Sequence, residues 1–382
     1  MNLQQYYQKH LISGIACSID GLSLDSLQDQ PAKHLAAPKQ SLAMAGDLIL
    51  LTGGSGHIGY RTLIEALSKG YNVRAAVRSD AKIAEIKAAK STQPYLDQLS
   101  FIIVPDITKD GAFDEAVQDV DYIVHLASPL ALPTDDFEAN IIQPAIRGTL
   151  SILYSALKES KIKRVVITSS VLAVAPASSA GNSAPVLPYT ADNIVPDPQG
   201  PYPNAFTAYG SSKILAYNHT REFITKERPS FTIINIMPTF VIGKNELATT
   251  PEAVRKGSNG IAMAPLLGSK QDFGPPAVAC HVDDVAFVHI AALSPGIKGN
   301  RNFGVNYNGT KGIVWNDALD IVKKHFPEAV EKGIFPLGGS QPSVAPPFDA
   351  SRTEEVLNFK HKNFEDMIVS LAGHYAVISA HL

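Results

Sequence analysis

Cysteine is scarce in this sequence: the 382 residues contain two, Cys17 and Cys280. Two cysteines cannot build a disulfide framework, and their separation is not a metal-ligand spacing. We therefore expect a protein of a reducing compartment with no zinc, iron–sulfur or other metal site.

The sequence also lacks long apolar runs and blocks of like charge. No run approaches the roughly 18 apolar residues that a membrane-spanning helix needs. Residues 11–19, LISGIACSI, come nearest to a signal peptide, but the run is short and ends at Asp20. The net charge is −3 without a cluster of Lys and Arg, so nothing attracts nucleic acid or an anionic membrane. We expect a cytosolic protein whose partners include neither.

What is present is enough apolar material for a sizeable core, because 45% of the residues are hydrophobic and 18% are charged. Residues 1–46 are polar and lack periodicity, which predicts an N-terminal extension, and we expect its residues 1–43 to be dispensable. Apolar strand-like runs then alternate with helix-like stretches. The runs are LILLT (48–52), VRAAV (73–77), FIIV (101–104), YIVHLA (122–127), VVITSS (165–170) and FTIINIM (231–237). This alternation predicts an α/β fold, a doubly wound parallel sheet.

Two segments depart from the alternation. Residues 176–206 are rich in Pro, Ser and Ala and too long for an ordinary connector, which predicts a lid or binding loop. Beyond Pro238 the pattern loosens into loops containing Gly and Pro. We expect residues 239–382 to form a smaller substrate-binding lobe, some of whose segments return to the first domain.

The first predicted strand runs straight into T-G-G-S-G-H-I-G, residues 52–59, which opens a helix. Glycines at fixed spacing allow a tight turn, a close backbone approach to a pyrophosphate, and close packing of helix on strand. The helix start adds free N–H groups and a positive dipole end. Between a strand and a helix this loop predicts a dinucleotide site. Its candidate binding residues are Gly53, Ser55, Gly56, His57, Ile58 and Gly59.

Arginine stands where the second predicted strand ends, in V-R-A-A-V-R-S. NAD sites usually carry an acidic residue there, whereas a guanidinium suits the 2′-phosphate of NADP. Arg78 is the candidate, Arg74 shares its strand face, and Lys82 could assist. The alternative is a solvated Arg78 beside Asp80. The pattern favours NADP(H).

The stretch TAYGSSK places Tyr209 four residues before Lys213. On a helix these positions are neighbours, and an ammonium ion beside a phenol makes the phenol a better proton donor. The same spacing also occurs on ordinary amphipathic helices. The spacing alone therefore does not indicate catalysis, and it is the dinucleotide motif earlier in the sequence that favours a catalytic role for the pair.

The motifs TGGSGHIG, VRAAVRS, PDIT, DYIVHLASP, VVITSS, YGSSK, the Pro238 segment and HVDDVA occur in this order. Together they resemble the extended short-chain dehydrogenases/reductases, in particular the dihydroflavonol-reductase-like group with its fungal NADPH-dependent aldehyde, methylglyoxal and ketone reductases. The resemblance implies an NADP-binding Rossmann domain over residues 47–238. It also implies that Asp106 and Ile107 contact the adenine, that Ala127 and Ser128 pack against the ribose and nicotinamide, and that Pro238 and Thr239 meet the nicotinamide amide.

The resemblance also assigns catalytic roles. The family's catalytic serine maps to Ser170, with Ser169 as the alternative, and its hydroxyl and that of Tyr209 face the substrate carbonyl oxygen. Lys213 additionally binds the ribose hydroxyls. The chemistry agrees, because hydride arriving at a carbonyl carbon leaves negative charge on oxygen, which needs hydrogen-bond donors and a proton.

We therefore expect an NADPH-dependent reductase of small or medium aldehydes or ketones in specialised metabolism, as a monomer or homodimer. Met237 and Lys244 replace the Arg and Pro that family members often carry, which leaves the substrate open. The alternatives are a sugar-nucleotide epimerase or dehydratase and a non-catalytic NADPH sensor.

We expect structural rather than catalytic or metal-binding roles at two histidine positions. His125 is predicted to be a packed, hydrogen-bonded strand residue. Near His281, we expect Asp283 or Asp284 to cap a helix rather than to bind a metal.

Overall fold

The computed structural model describes residues 46–128, 134–175, 188–272, 274–344 and 346–380. The predicted extension, apart from Gly46, lies outside the described residues, and so do residues 176–187 of the predicted lid. Of that predicted lid, Tyr189–Thr190 forms a short strand that pairs with Phe348–Asp349.

Seven parallel strands form the central sheet. They are β1 Leu48–Thr52, β2 Asn72–Val77, β3 Leu99–Ile103, β4 Tyr122–His125, β5 Arg164–Thr168, β7 Thr232–Pro238 and β10 Arg301–Val305. Their order across the sheet is β10-β7-β5-β4-β1-β2-β3. Two strand pairs lie outside it. They are β6 Tyr189–Thr190 with β11 Phe348–Asp349, and β8 Phe240–Ile242 with β9 Ala279–His281.

Helices connect these strands and continue into the C-terminal part of the chain. In chain order they are α1 His57–Ser68, α2 Asp80–Ala88, α3 Gln143–Ala156, α4 Ala205–Glu227, α5 Pro251–Val254, α6 Ser258–Leu266, α7 Val282–Ala291, α8 Asp317–His325, α9 Pro327–Glu331, α10 Ser351–Leu357 and α11 Phe364–Ala380. Shorter 3-10 or π turns cover Lys90–Gln98, Glu138–Ile142, Val171–Ala173 and Gly309–Lys311. In the described part of the chain, no helix is both long and apolar enough to cross a membrane.

The sheet is covered on both faces, which explains its continuous apolar strands. Successive residues of β1 point to opposite sides, so Ile49 and Leu51 join the core under α1, α2 and α7. Leu50 joins the opposite core under α3 and α4. The predicted doubly wound α/β fold is confirmed.

A third core belongs to the C-terminal lobe and surrounds Trp315, whose indole is fully buried among side chains of α6, α8 and α11. Not all of residues 239–382 lies there. Strand β10 pairs with β7 and completes the large sheet, and α7 packs against α1. The C-terminal part of the chain therefore supplies both the lobe and one edge strand of the central sheet.

After the run FIIV (101–104) the sequence pattern predicts a helix in AFDEAVQDV, residues 112–120. This prediction is wrong, because the segment folds as consecutive turns. The Arg74 guanidinium donates hydrogen bonds to the carbonyl oxygens of Ala116 and Gln118, at 2.8 and 2.7 Å. The backbone of Asp119 is left-handed, with φ 63°. A long-range side-chain contact thus uses carbonyls that a continuing helix would need.

Candidate active site

Most of the predicted cofactor-binding segments, and the two candidate serines, follow strands at the carboxyl end of the sheet, whereas Tyr209 and Lys213 lie on helix α4. Because the strands are parallel, their carboxyl ends converge there, at the point where open α/β sheets bind ligands. The segments are Gly53 after β1, Arg78 after β2, Asp106 after β3, Ala127 and Ser128 after β4, Ser169 and Ser170 after β5, and Thr239 after β7. The fold therefore gathers into one region candidates that lie far apart in the chain.

The glycine loop, residues 52–59, is too tight for side chains at two positions. Gly53 has φ +76°, and a Cβ there would lie 2.7 Å from the Ala127 nitrogen. A Cβ at Gly59 would lie 2.0 Å from the Gly53 carbonyl oxygen. Helix α1 begins after Gly56 without a side-chain cap, which leaves its first N–H groups for a ligand. This cradle at a helix N-terminus fits the pyrophosphate of a dinucleotide.

His57 turns its ring away from the loop and toward the C-terminal lobe. Its imidazole lies beside the backbone of Gly243 and Lys244, its Nε2 has no hydrogen-bond partner among the described residues, and burial lowers its pKa to about 4, so the ring is neutral. Any contact of His57 with a phosphate is left to its backbone N–H. The side chain instead ties the glycine loop to the segment after β8.

Arg78 differs from the other two basic residues of its region. It is exposed directly after β2, and among the described residues it has no hydrogen-bond or ion-pair partner, Asp80 included. Arg74 is occupied by the carbonyls of the 112–120 segment. Lys82 is paired with Glu85. Of these three basic side chains, Arg78 is therefore the one that remains available to a 2′-phosphate.

The loop after β3 is ordered by its own side chains. The Asp106 carboxylate accepts hydrogen bonds from the N–H and hydroxyl of Thr108, at 2.9 and 2.7 Å, and these bonds lower its pKa. Ile107 packs against the core under α3 and α4. These contacts fix the turn that follows β3, and the adenine contact of Asp106 and Ile107 stays a prediction.

Helix α4 carries the Tyr209–Lys213 pair and starts at Asn204, whose side chain caps the Thr207 N–H at 2.9 Å. The Lys213 ammonium lies 5.3 Å from the centre of the Tyr209 ring. It also donates to the Ser128 hydroxyl at 3.2 Å. Lys213 is 9% exposed. One buried cation therefore joins the helix to the loop after β4, although 85 residues separate the two partners in sequence.

The two serines after β5 occupy different environments. The Ser170 hydroxyl accepts from the Leu172 N–H at 3.2 Å, at the start of a 3-10 turn that packs on α4. The Ser169 N–H donates to the Ile236 carbonyl at 2.7 Å, and this residue lines a cavity beside Lys213. Ser170 as the catalytic serine stays a prediction, with Ser169 as the alternative.

The sequence interpretation missed a polar row inside the sheet. Thr52, His125, Asn235 and Asn302 occupy one register line across β1, β4, β7 and β10, interrupted by Ile167 of β5. Thr52 and His125 are hydrogen-bonded at 2.9 Å, and Asn235 and Asn302 at 3.1 Å. The signal was available, because Thr52 and Asn235 are polar residues at strand positions expected to be buried on both faces.

His125 is packed and hydrogen-bonded as predicted, but the predicted aspartate cap is wrong. His281 itself caps α7, accepting from the Asp283 N–H at 3.0 Å. Asp283 is instead bound by Arg61, at 2.6 Å, and by Lys362. Asp284 is 5% exposed and accepts the Lys362 N–H at 2.8 Å, and burial raises its pKa to about 7. His281 is the N-cap because it directly precedes the helix, whereas Asp283 and Asp284 lie inside its first turn.

Comparison with known proteins agrees with this geometry. The model of the NAD-dependent epimerase/dehydratase family matches residues 49–305, from β1 to β10. The chain belongs to this family. Ketoreductase CTB6 of Cercospora nicotianae is 37% identical over 87% of this chain and 96% of its own length. The putative NADPH-dependent methylglyoxal reductase GRP2 of Candida albicans is 29% identical over 85% of this chain and 98% of its own.

A solved structure gives the same picture for this epimerase/dehydratase-family chain. Gre2 of Candida albicans, crystallised with NADPH, aligns with a TM-score of 0.74 at 25% identity, covering 88% of this chain and 100% of that one. The predicted resemblance to the extended short-chain dehydrogenases/reductases is confirmed, and so is the Rossmann-type fold.

Proposed function

We propose that this protein is an NADPH-dependent reductase that delivers hydride to the carbonyl carbon of a small or medium aldehyde or ketone, in specialised metabolism. The observation that carries the proposal is the position of the Lys213 ammonium, which lies between the Tyr209 ring and Ser128. It lies at the carboxyl end of the sheet, where the glycine loop also lies. The names of the relatives, a ketoreductase and an NADPH-dependent methylglyoxal reductase, support it.

The cofactor supplies the hydride when it is bound. On the protein side, the glycine loop would hold the pyrophosphate and Arg78 the 2′-phosphate, with Asp106 and Ile107 near the adenine. Ala127, Ser128, Pro238 and Thr239 would border the ribose and nicotinamide. Thr239 is fixed for this role, since its hydroxyl bonds the Val305 carbonyl and the Asn306 side chain, each at 3.2 Å.

The side chains then divide the work on the carbonyl oxygen. Ser170 donates a hydrogen bond to this oxygen and orients it. Tyr209 gives its hydroxyl proton as negative charge develops there, which makes the phenol the general acid. Lys213 places a positive charge beside the phenol and so stabilises the phenolate that remains.

Two other functions are less well supported. A sugar-nucleotide epimerase or dehydratase would share the fold and the Tyr–Lys pair, but two relatives of 37% and 36% identity carry ketoreductase names. A non-catalytic NADPH sensor would have no use for a proton donor beside the cofactor site. A cytosolic location and a monomeric or homodimeric state complete the proposal.

The test is a panel of aldehydes, aromatic ketones and polyketide-like ketones, with NADPH oxidation followed by absorbance. On the best substrate, Tyr209→Phe should keep NADPH binding and lose turnover by about 10²–10⁴. Lys213→Ala should weaken both. Tyr154→Phe is the matched control, because Tyr154 is 43% exposed on α3 and packs on Phe223. Tyr209→Phe retaining more than about a tenth of the parent rate would show that another group delivers the proton.

A further inference from the structure

A small cavity lies directly behind Lys213, between the carboxyl ends of β4, β5 and β7 and the helices α3 and α4. Its polar lining includes His125, Ser128, Ser169, Lys213, Tyr217 and Asn235. The cavity has room for about one or two water molecules. It therefore joins the polar row of the sheet to the buried ammonium of the candidate active site.

The hydrogen bonds of Thr52 fix the tautomer of His125. The Thr52 hydroxyl accepts from the Ala127 N–H at 3.1 Å and lies 2.9 Å from His125 Nδ1. Thr52 is 1% exposed, and in the described part of the chain His125 Nδ1 is the acceptor available to its hydroxyl hydrogen. If Nδ1 donated instead, that hydrogen would be buried without a partner, at a cost of about 1–3 kcal/mol. Nδ1 therefore accepts, and the proton sits on Nε2.

This tautomer leaves a donor without a partner. His125 is 2% exposed, and its Nε2 has no hydrogen-bond partner among the described residues. Burial and the charge of Lys213 lower the His125 pKa to about 3, so the ring is neutral. The Lys213 ammonium has three hydrogens and gives one of them to Ser128. His125 and Lys213 thus both present donors at the cavity, and a shared acceptor would satisfy them together.

We propose that a water molecule in this cavity accepts hydrogen bonds from His125 Nε2–H and the Lys213 ammonium, and that His125 thereby acts as a positioning residue for Lys213. The water fixes the ammonium from behind, while Ser128 fixes it from the side. Its remaining hydrogen is then directed toward the Tyr209 side and the cofactor ribose. The positioning role rests on the proposed function, whereas the water site does not.

Two substitutions separate this role from simple packing. His125→Asn keeps an acceptor for Thr52 at the Nδ1 position and removes the donor that faces the cavity. His125→Gln keeps a donor near the Nε2 position and removes the acceptor for Thr52. If His125 acts through the water, Asn should weaken NADPH binding and lower kcat by about three- to tenfold each, the value of one lost hydrogen bond. Gln should remain within about twofold of the parent.

The measurements are NADPH affinity by fluorescence titration, kcat on the best carbonyl, and thermal unfolding, all on the full chain. An Asn variant weaker than Gln in affinity and turnover supports the proposal. A Gln variant equal to or weaker than Asn, or two variants equal to the parent, overturns it.

A crystal structure of the cofactor-free parent gives a second readout that needs no turnover. A water about 3 Å from His125 Nε2 is expected, and its absence from a map that shows other buried waters overturns the proposal. If the parent binds NADPH but reduces no carbonyl, the proposed function fails, while the water and the affinity ranking of the two variants still decide this inference.

Discussion

Gly59 offers the sharpest test of the dinucleotide cradle. In Gly59→Ala the new Cβ would lie 2.0 Å from the Gly53 carbonyl oxygen and 2.6 Å from the Gly53 carbonyl carbon. Both are backbone atoms, which cannot rotate aside as the end of a side chain can. The loop and the first turn of α1 must therefore separate by about 1.5 Å, the difference from an ordinary contact of about 3.5 Å.

Two effects decide the size of the stability change. Overpacking of this kind costs about 1–3 kcal/mol, while Ala in place of Gly inside a helix returns about 1 kcal/mol. We expect Gly59→Ala to lower the free energy of unfolding by up to about 2 kcal/mol, a few degrees in Tm for a chain of this size. The larger effect should be on NADPH, because the N–H groups at the start of α1 move out of register with the phosphates. We expect affinity to fall at least about tenfold.

The assay pairs NADPH fluorescence titration with thermal unfolding, and Gly373→Ala is the matched control. Gly373 lies in α11, where a Cβ would meet the Phe326 ring at 3.4 Å, an ordinary contact. That variant should be as stable as the parent or up to about 1 kcal/mol more stable, with unchanged NADPH affinity. A Gly59→Ala protein that binds NADPH as tightly as the parent would refute the idea that this close approach shapes the cofactor site.

Three other parts of the structure lead to expectations of the same kind. Arg78→Ala should erode the preference for NADPH over NADH in kcat/KM, since Arg78 is the exposed cation directly after β2, and equal efficiency with both cofactors in the parent would contradict this. The raised pKa of Asp284, about 7, means that the folded state holds a proton which the unfolded chain releases near pH 4, so stability falls as pH rises from about 4 to 7. Asp284→Asn should therefore stabilise the folded state more at pH 8 than at pH 5, by about 3 kcal/mol at most, and an equal gain in Tm at both pH values would count against this. Arg164→Met should lower the free energy of unfolding by at least about 3 kcal/mol, because the guanidinium donates to the carbonyls of Ala292 and Ser294 at 2.6 and 2.8 Å and to that of Ile297 at 2.5 Å. Activity per folded molecule should persist, because Arg164 begins β5 and the candidate site lies at the opposite, carboxyl end of the strands.

The sequence pattern alone correctly predicted those elements whose conformation depends on residues close together in the chain. The run LILLT is β1, the TAYGSSK stretch lies on one helix, and the glycine loop connects a strand to a helix as its motif requires. Apolar runs, i,i+4 spacing and glycine conformations act over a few residues, so a sequence displays them directly. The family resemblance added an ordered set of motifs. Because most of these motifs follow parallel strands, the fold brings them together at the carboxyl end of the sheet.

Contacts between distant segments were decided only by the tertiary structure. Arg74 breaks the predicted 112–120 helix, His57 turns toward Gly243 and Lys244, and His281 displaces the expected aspartate cap. The alignment of Thr52 with His125 likewise depends on strand register, which is set by burying both sheet faces at once. A polar side chain buried in this way takes whatever partner the packed neighbours present, and that partner is a property of the fold rather than of the segment.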